Sequence, residues 1–319
     1  MKILQAKIQY QLSYDLLDID SLTMDFAVPF NIFIKKENNY VIIIEAGTLL
    51  SEKILKMLKS QENVYVAKKE AANQTLSCET LHGYLECNKN DLLKTLEILT
   101  QVNTVLFDAY LADANNKIEL DCVAKIVKNI LFLTKHSAHY LKNTIAHFQN
   151  DDNLANHSLY VAIYAINLGF FLKFSDAQLL QLGTAALLHD IGFKEIDDGI
   201  RNKNASLNEK ETASVHEHPE LSVKIAKHNG ISDPFILDAI MQHHECHDTS
   251  GYPKHLRGAN ISNGGAILCI CDVFNALTND RPYRLKYSSF EALQLMMKNE
   301  LMAPKFNQDY LKTFLKSLL

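Results

Sequence analysis

Histidine is the unevenly placed residue of this chain. Of 13 histidines, only His82 falls in the first 135 residues, and the other twelve lie between His136 and His255. Crowded imidazoles point to metal or acid–base chemistry. His189-Asp190 closes an apolar run, Ala185-Ala186-Leu187-Leu188, so its carboxylate is expected to be buried and to need a partner or a metal. His157 shares a helical face with Val161, Tyr164, Ala165 and Leu168 and should point inward. His243-His244-Glu245 ends the helix that Pro234 starts. Neighbours on a helix diverge by about 100°, so adjacent histidines converge on one ion most readily where a helix ends. Asp272 sits within the apolar run Ala266 to Phe274, where a metal, or Arg281 or Arg284, would offset the cost of burying it. His218 precedes Pro219 at a helix start.

Taken singly, these signals are modest. A His-Asp dipeptide also fits a hydrogen-bonded core pair, and His157 also fits a satisfied core histidine. Together, five histidines and two aspartates on separate helices make a mixed imidazole–carboxylate set that suits iron, manganese or zinc without a thiolate. The set is large enough for two ions. Two ions about 3.5–4 Å apart can clamp a phosphoryl group and hold a hydroxide for in-line attack, so the pattern points to a phosphohydrolase.

The elements that must position these groups are helices. From Asp151 onward the chain reads as helix after helix: Asp152 or Asn153 caps one through Leu172, Ser175 caps one running into His189, and Asp233-Pro234 starts another. Gly264-Gly265 precedes a helix through Leu277, and Ser288 or Ser289 starts the last long one. Upstream, Asp91 to Leu111 and Lys117 to Gln149 form a helical hairpin that either packs on the next domain or pairs with a second chain; Ala112 to Asn116 is its turn. Residues 71–90 read as a polar connector. Residues 1–70 read as a small α+β unit: a hairpin of Phe30–Ile34 and Tyr40–Ile44, a helix capped by Ser51 carrying Ile54, Leu55 and Leu58, and a third strand at Val64–Val66. The expected divisions are therefore 1–70, a regulatory or structural domain; 71–150, connector and hairpin; and 151–319, the chemical domain.

With 319 residues, 47% hydrophobic and 22% charged, the chain is globular and too long for one small core. Its net charge of −5 argues against bulk nucleic-acid binding. No apolar stretch reaches the roughly 18 residues of a membrane span; the best, Leu159 to Leu172, is interrupted by Asn167 and Gly169. The first residues lack the apolar core of a signal peptide. Six cysteines without a C-x-x-C pair fit free thiols in a cytoplasmic protein.

The chain resembles the HD-GYP family, cyclic di-GMP phosphodiesterases within the HD superfamily of metal-dependent phosphohydrolases. The resemblance rests on His157-Ser158; Leu187-Leu188-His189-Asp190-Ile191-Gly192; His218-Pro219-Glu220; His243-His244-Glu245-x-x-Asp248-x-Ser250-Gly251-Tyr252-Pro253; Leu256-x-Gly258; and Asp272-Val273-Phe274-x-Ala276-Leu277-Thr278 with Arg281-Pro282-Tyr283-Arg284. It covers about residues 150–319. The fold it implies is mainly α: an all-α HD-type helical domain preceded by the small α+β domain and the hairpin linker.

For the site, the resemblance implies one metal on His157, His189, Asp190 and Asp272, with Asp190 bridging to a second on His218, His243 and His244. Asp190 and His189 take the catalytic roles. Arg281, Arg284 and Tyr252 are matched to substrate binding. The implied cofactors are two divalent ions, iron or manganese, with zinc compatible. The implied reaction is hydrolysis of cyclic di-GMP by a hydroxide bridging the two ions, giving pGpG, with further cleavage to GMP left open. Implied partners are diguanylate cyclase (GGDEF) domains, and the hairpin could join a homodimer.

Departures from the family pattern keep two alternatives open: a degenerate module binding nucleotide or a cyclase, and a phosphohydrolase for another cyclic dinucleotide. Phe193 stands where a substrate-reaching lysine is usual, and Lys194, one step on, should point elsewhere. Asn153 replaces a glutamate that supports a third metal, so two ions are expected. Thr249, Ser222 and Asn275 replace a usual Gly, Gly and Asp. The N-terminal unit is similar, through Pro29-Phe30-x-Ile32 and Glu45-Ala46-Gly47, to a small domain found before HD-GYP domains. His216 and the remaining histidines have no legible role.

Overall fold

The β-branched runs near the N-terminus pair as strands. In the computed structural model, which describes residues 14–17, 19, 22, 28, 31–36, 39–45, 48–61, 63–67, 92–112, 117–148, 153–201, 203, 205–279 and 285–318, four strands form one antiparallel sheet. They are β1 (Tyr14–Leu16), β2 (Ile32–Lys36), β3 (Asn39–Ile44) and, after helix α1 (Glu52–Lys59), β4 (Tyr65–Ala67), in the order β1-β4-β2-β3. β2 and β3 make the expected hairpin, with a register irregularity between Ile32 and Phe33. The Ser51 side chain accepts from the Ile54 amide and so caps α1. Ile32, Ile44, Leu50, Leu58, Val64 and Val66 form the core of this unit. β1 is not legible in the sequence, because Tyr14-Asp15-Leu16 is too short to show alternation. The connector at 71–90, the hairpin turn at 113–116 and the motif residues Pro29, Phe30, Ala46 and Gly47 lie outside the described residues.

The chain divides into two compact units, Met1–Asn88 and Lys89–Leu319. In the second, α2 (Leu92–Ala112) and α3 (Leu120–Phe148) form the hairpin and pack against α4 (Leu154–Phe171) and α5 (Asp176–Leu188). Their apolar stripes, Leu96, Leu99, Val102, Leu106 and Tyr110 on α2 and Val123, Ile126, Val127, Ile130 and Leu133 on α3, are buried as their spacing predicts. The hairpin packs on the helical domain, one of the two expected arrangements. α4 is long and apolar enough by length and composition to cross a membrane, but 83% of it is buried inside the helical unit, as suits a core helix.

The chain continues through a 3₁₀ turn (Ile191–Glu195), α6 (Asp198–Arg201), α7 (Glu209–Val215), α8 (His218–His228), α9 (Pro234–Gln242), α10 (Asn263–Thr278), α11 (Ser289–Lys298) and α12 (Gln308–Leu318). Asn153, Ser175, Asp233 and Ser288 cap their helices as expected. Two expectations need correction. Gly264 and Gly265 lie within the first turn of α10 rather than before it, and Ser262 is the cap. They are glycine because α9 crosses there: a Cβ on Gly264 would meet Ala239 at 2.7 Å, and one on Gly265 would meet Gln242 at 2.8 Å. The last long helix is two helices: α11 ends at its cap Asn299, whose backbone is extended (φ −71°, ψ 125°), and a 3₁₀ turn over Ala303–Lys305 leads into α12. Cys246, Cys269 and Cys271 are free thiols, whereas Cys122 is disulfide-bonded. Such a bond depends on two Cβ atoms meeting in space, which sequence spacing does not reveal.

Candidate metal centre

Helix ends bring the site together. His157 lies in the first turn of α4, whose Asn153 cap spends its side chain on the Asn156 amide. His189 caps the C-terminus of α5 and Asp190 follows it; His218 opens α8; His243 caps α9 with His244 next; Asp272 comes from α10. At the end of α9 the backbone leaves the helix, which lets two adjacent imidazoles face one centre.

Asp190 is the hinge of the arrangement. Its Oδ2 faces His157 Nε2 at 3.6 Å and His189 Nε2 at 3.4 Å, while its Oδ1 faces His218 Nε2 at 3.1 Å and His243 Nε2 at 3.4 Å. Asp272 receives His157 Nε2 at 3.2 Å on Oδ1 and lies 3.7 Å from His244 Nδ1 through Oδ2. Two donor groups result, His157–His189–Asp272 and Asp190–His218–His243–His244, each with its ligand atoms within 4.8 Å of one another. All seven metal-site candidates are thus assembled. Arg281 and Arg284 lie outside the described residues.

Four of the imidazoles are aimed by hydrogen bonds at their far nitrogen. Nδ1 of His189, His218 and His243 donates to the carbonyl three residues earlier, Ala186, Val215 and Ile240, at 2.7, 2.7 and 2.6 Å. Nδ1 of His157 donates to Asn275 Oδ1 at 2.8 Å. These bonds fix the proton on each Nδ1 and turn each Nε2 inward, where that of His157 meets Asp272 as a donor and those of His189, His218 and His243 present lone pairs. The consequence is an electrostatic demand. His218 Nε2 and His243 Nε2 are 3.1 Å apart with both Nδ1 protons already committed, so two lone pairs face each other. His189 Nε2 and Asp190 Oδ1 are buried without a hydrogen-bond partner. A centre of this kind calls for a cation, and imidazole with carboxylate suits a divalent transition metal.

Proton affinities tell the same story. Burial opposes charge on His157, but the Asp272 hydrogen bond and the Asp272 and Asp190 charges overcome it and lift its pKa to about 9. Burial pulls His189 down to about 4 against those same carboxylates. Burial also works against ionised Asp190 and Asp272, yet the surrounding histidines hold both below the usual carboxylate range.

The surroundings explain the departures from the family pattern. Phe193 stacks on His218 with ring centroids 4.3 Å apart and planes 21° apart. Lys194 points away, as expected, donating to the Tyr110 carbonyl at 2.6 Å with its ammonium 4.0 Å from the Tyr110 ring centroid. Ser222 accepts from the Gly192 amide at 2.8 Å, tying the turn after Asp190 to α8. Thr249 adopts φ 69°, a left-handed conformation that favours glycine.

Four residues of the neighbourhood have structural roles that the sequence does not assign. Glu245, almost fully buried, accepts from the Lys254 and Leu256 amides at 2.6 and 2.8 Å and folds the Gly251-Tyr252-Pro253 loop back onto the histidines. Gly251 is where that loop touches the chain, since a Cβ there would meet the His244 carbonyl at 2.3 Å. Asn275 has a legible signal, because it lies three residues after Asp272 on the same face of α10. His216 has none; it stacks on Tyr252 at 3.8 Å and 12°.

A model of the HD domain matches residues 125–303. The chain belongs to the HD domain family. Its motifs put it in the HD-GYP branch. Among the relatives of this HD-GYP chain, a cyclic di-GMP phosphodiesterase of Pseudomonas aeruginosa is 33% identical over 147 residues, covering 46% of this chain and 36% of that protein. A 3'3'-cGAMP-specific phosphodiesterase of Vibrio cholerae is 37% identical over 147 residues, covering 46% and 31%. A cyclic di-GMP phosphodiesterase of Borreliella burgdorferi is 30% identical over 162 residues, covering 51% and 42%. The chain thus spans well under half the length of these curated relatives. An HDG"Y"P protein from Bdellovibrio bacteriovorus shares the fold, with a TM-score of 0.64, 17% identity, and coverage of 96% of this chain and 99% of that one.

Proposed function

We propose that this chain is a cyclic di-GMP phosphodiesterase using two divalent ions, iron or manganese. The observation that carries this reading is the pair of donor groups meeting at the two oxygens of Asp190. His157, His189, Asp190 and Asp272 would hold one ion, and Asp190, His218, His243 and His244 the other. Bound there, a pair of ions supplies Lewis acidity and an activated water for in-line attack on a phosphodiester. The protein's part is orientation: the carbonyls behind His189, His218 and His243 and Asn275 behind His157 keep the imidazoles aimed. Arg281 and Arg284 would meet the phosphodiester oxygens through their donor forks. The first product is linear pGpG, with GMP to follow.

The cyclic di-GMP phosphodiesterases among the relatives support this substrate. A second reading, hydrolysis of another cyclic dinucleotide, is favoured by Phe193 in the lysine position and by the 3'3'-cGAMP-specific relatives. The test is chromatography of products from cyclic di-GMP and 3'3'-cGAMP, with Mn(II)- or Fe(II)-loaded protein and Asp190→Ala as control. Faster conversion of cyclic di-GMP to pGpG supports the first reading, and faster cleavage of 3'3'-cGAMP the second. Intact substrates with two bound ions would contradict both.

A further inference from the structure

His244 differs from the other four histidines of the centre. Each of those has Nδ1 pinned by a carbonyl or by Asn275. Among the described residues, no hydrogen bond holds either nitrogen of His244. Its side chain is 26% exposed, whereas those of His157, His189, His218 and His243 are buried, and it turns Nδ1 rather than Nε2 toward Asp272. A ligand imidazole without an outer hydrogen bond is free to rotate about its side-chain bonds, which costs affinity for the ion it should hold.

Rings take the place of that bond. Tyr252 stacks on His244 at 4.7 Å with planes 29° apart, and His216 stacks on Tyr252 at 3.8 Å with planes 12° apart. Two rings this close and this nearly parallel to Tyr252 would overlap if they shared a face. They therefore occupy opposite faces, and Tyr252 is clasped between them. The loop is fixed independently: the Tyr252 amide donates to the His244 carbonyl at 3.1 Å, and Glu245 holds the Lys254 and Leu256 amides. With both ring faces covered, Tyr252 offers substrate no stacking surface; what it can offer is an edge.

We propose that His216 is a positioning residue: by clasping Tyr252 against His244, it orients the one imidazole of the centre that no hydrogen bond aims. This rests on the metal-site reading above. His216 is exposed on the far side of the stack and contributes no ligand atom to either donor group, so its truncation leaves the donor set complete.

The test is titration of the full chain with Co(II), followed by d–d absorption, in wild type, His216→Ala, His216→Phe and, as a control on the exposed end of α8, His228→Ala. Wild type and His228→Ala should take up two ions. His216→Ala should bind one ion roughly tenfold more weakly, the usual scale for losing an outer-shell partner, with a changed spectrum. His216→Phe, which keeps the stack but has no nitrogen, should restore affinity to within about threefold. A His216→Ala isotherm matching wild type would overturn the proposal. So would a His216→Phe defect equal to that of His216→Ala, because it would assign the effect to the imidazole nitrogens. Wild type binding fewer than two ions would overturn the metal-site reading itself, and the proposal with it.

Discussion

The two sides of the metal centre are built by different means. On the buried side, His189, His218 and His243 are aimed by carbonyls of their own helix ends and His157 by Asn275 across helices. On the open side, His244 is held by Tyr252 and His216. Hydrogen bonds to a rigid backbone are directional and belong to the fold itself, whereas stacking is softer, being worth about 0.5–1.5 kcal/mol beyond area burial. A centre of this kind keeps four imidazoles fixed and one adjustable, on the side where the Gly251-Tyr252-Pro253 loop closes it.

The largest expected effect is indifferent to that contrast. Asp190 serves both groups, so Asp190→Ala should empty both sites. Hydrolysis of a cyclic dinucleotide should fall by on the order of a thousandfold or more, as several kcal/mol of charge stabilisation disappear. Product chromatography reads this directly. On the buried side, Asn275→Leu strands the His157 Nδ1 proton and should weaken one ion by about 10- to 100-fold in a metal titration, while Asn275→Asp should retain it. Phe193→Leu removes the ring behind His218 but leaves the Val215 carbonyl in place; a loss of only about two- to fivefold in ion affinity is expected. A Phe193→Leu effect as large as that of Asn275→Leu would erase the distinction between hydrogen-bonded and stacked ligands. The smallest effect is on stability. Thr249→Gly relieves a β-branched residue held at φ 69° and should raise unfolding free energy by about 1 kcal/mol, visible as a higher denaturation midpoint.

Much of the buried side is legible from the sequence, because it is written in local patterns. Caps at Asn153, Ser175, Asp233 and Ser288 mark helix starts by a mechanism that acts over three residues. His189-Asp190 and Asp272 stand out because a carboxylate in an apolar run needs a reason. Asn275 could be read from its spacing to Asp272. What escapes depends on contacts between distant segments. Gly264 and Gly265 look like helix breakers until α9 is seen to press on them. The clasp of His216 on Tyr252 joins the end of α7 to a loop 36 residues later, and neither residue type nor spacing encodes it. Glu245 reads as part of a motif, yet its work is to hold two amides of the following loop.

The most direct measurement is the metal content of Mn(II)-loaded wild type and Asp190→Ala, by mass spectrometry of the elements, with circular dichroism confirming that both remain helical. Two donor groups sharing one carboxylate predict about two ions per chain in wild type and essentially none in Asp190→Ala. At most one ion in folded wild type, or two ions retained without Asp190, would contradict the shared dinuclear centre.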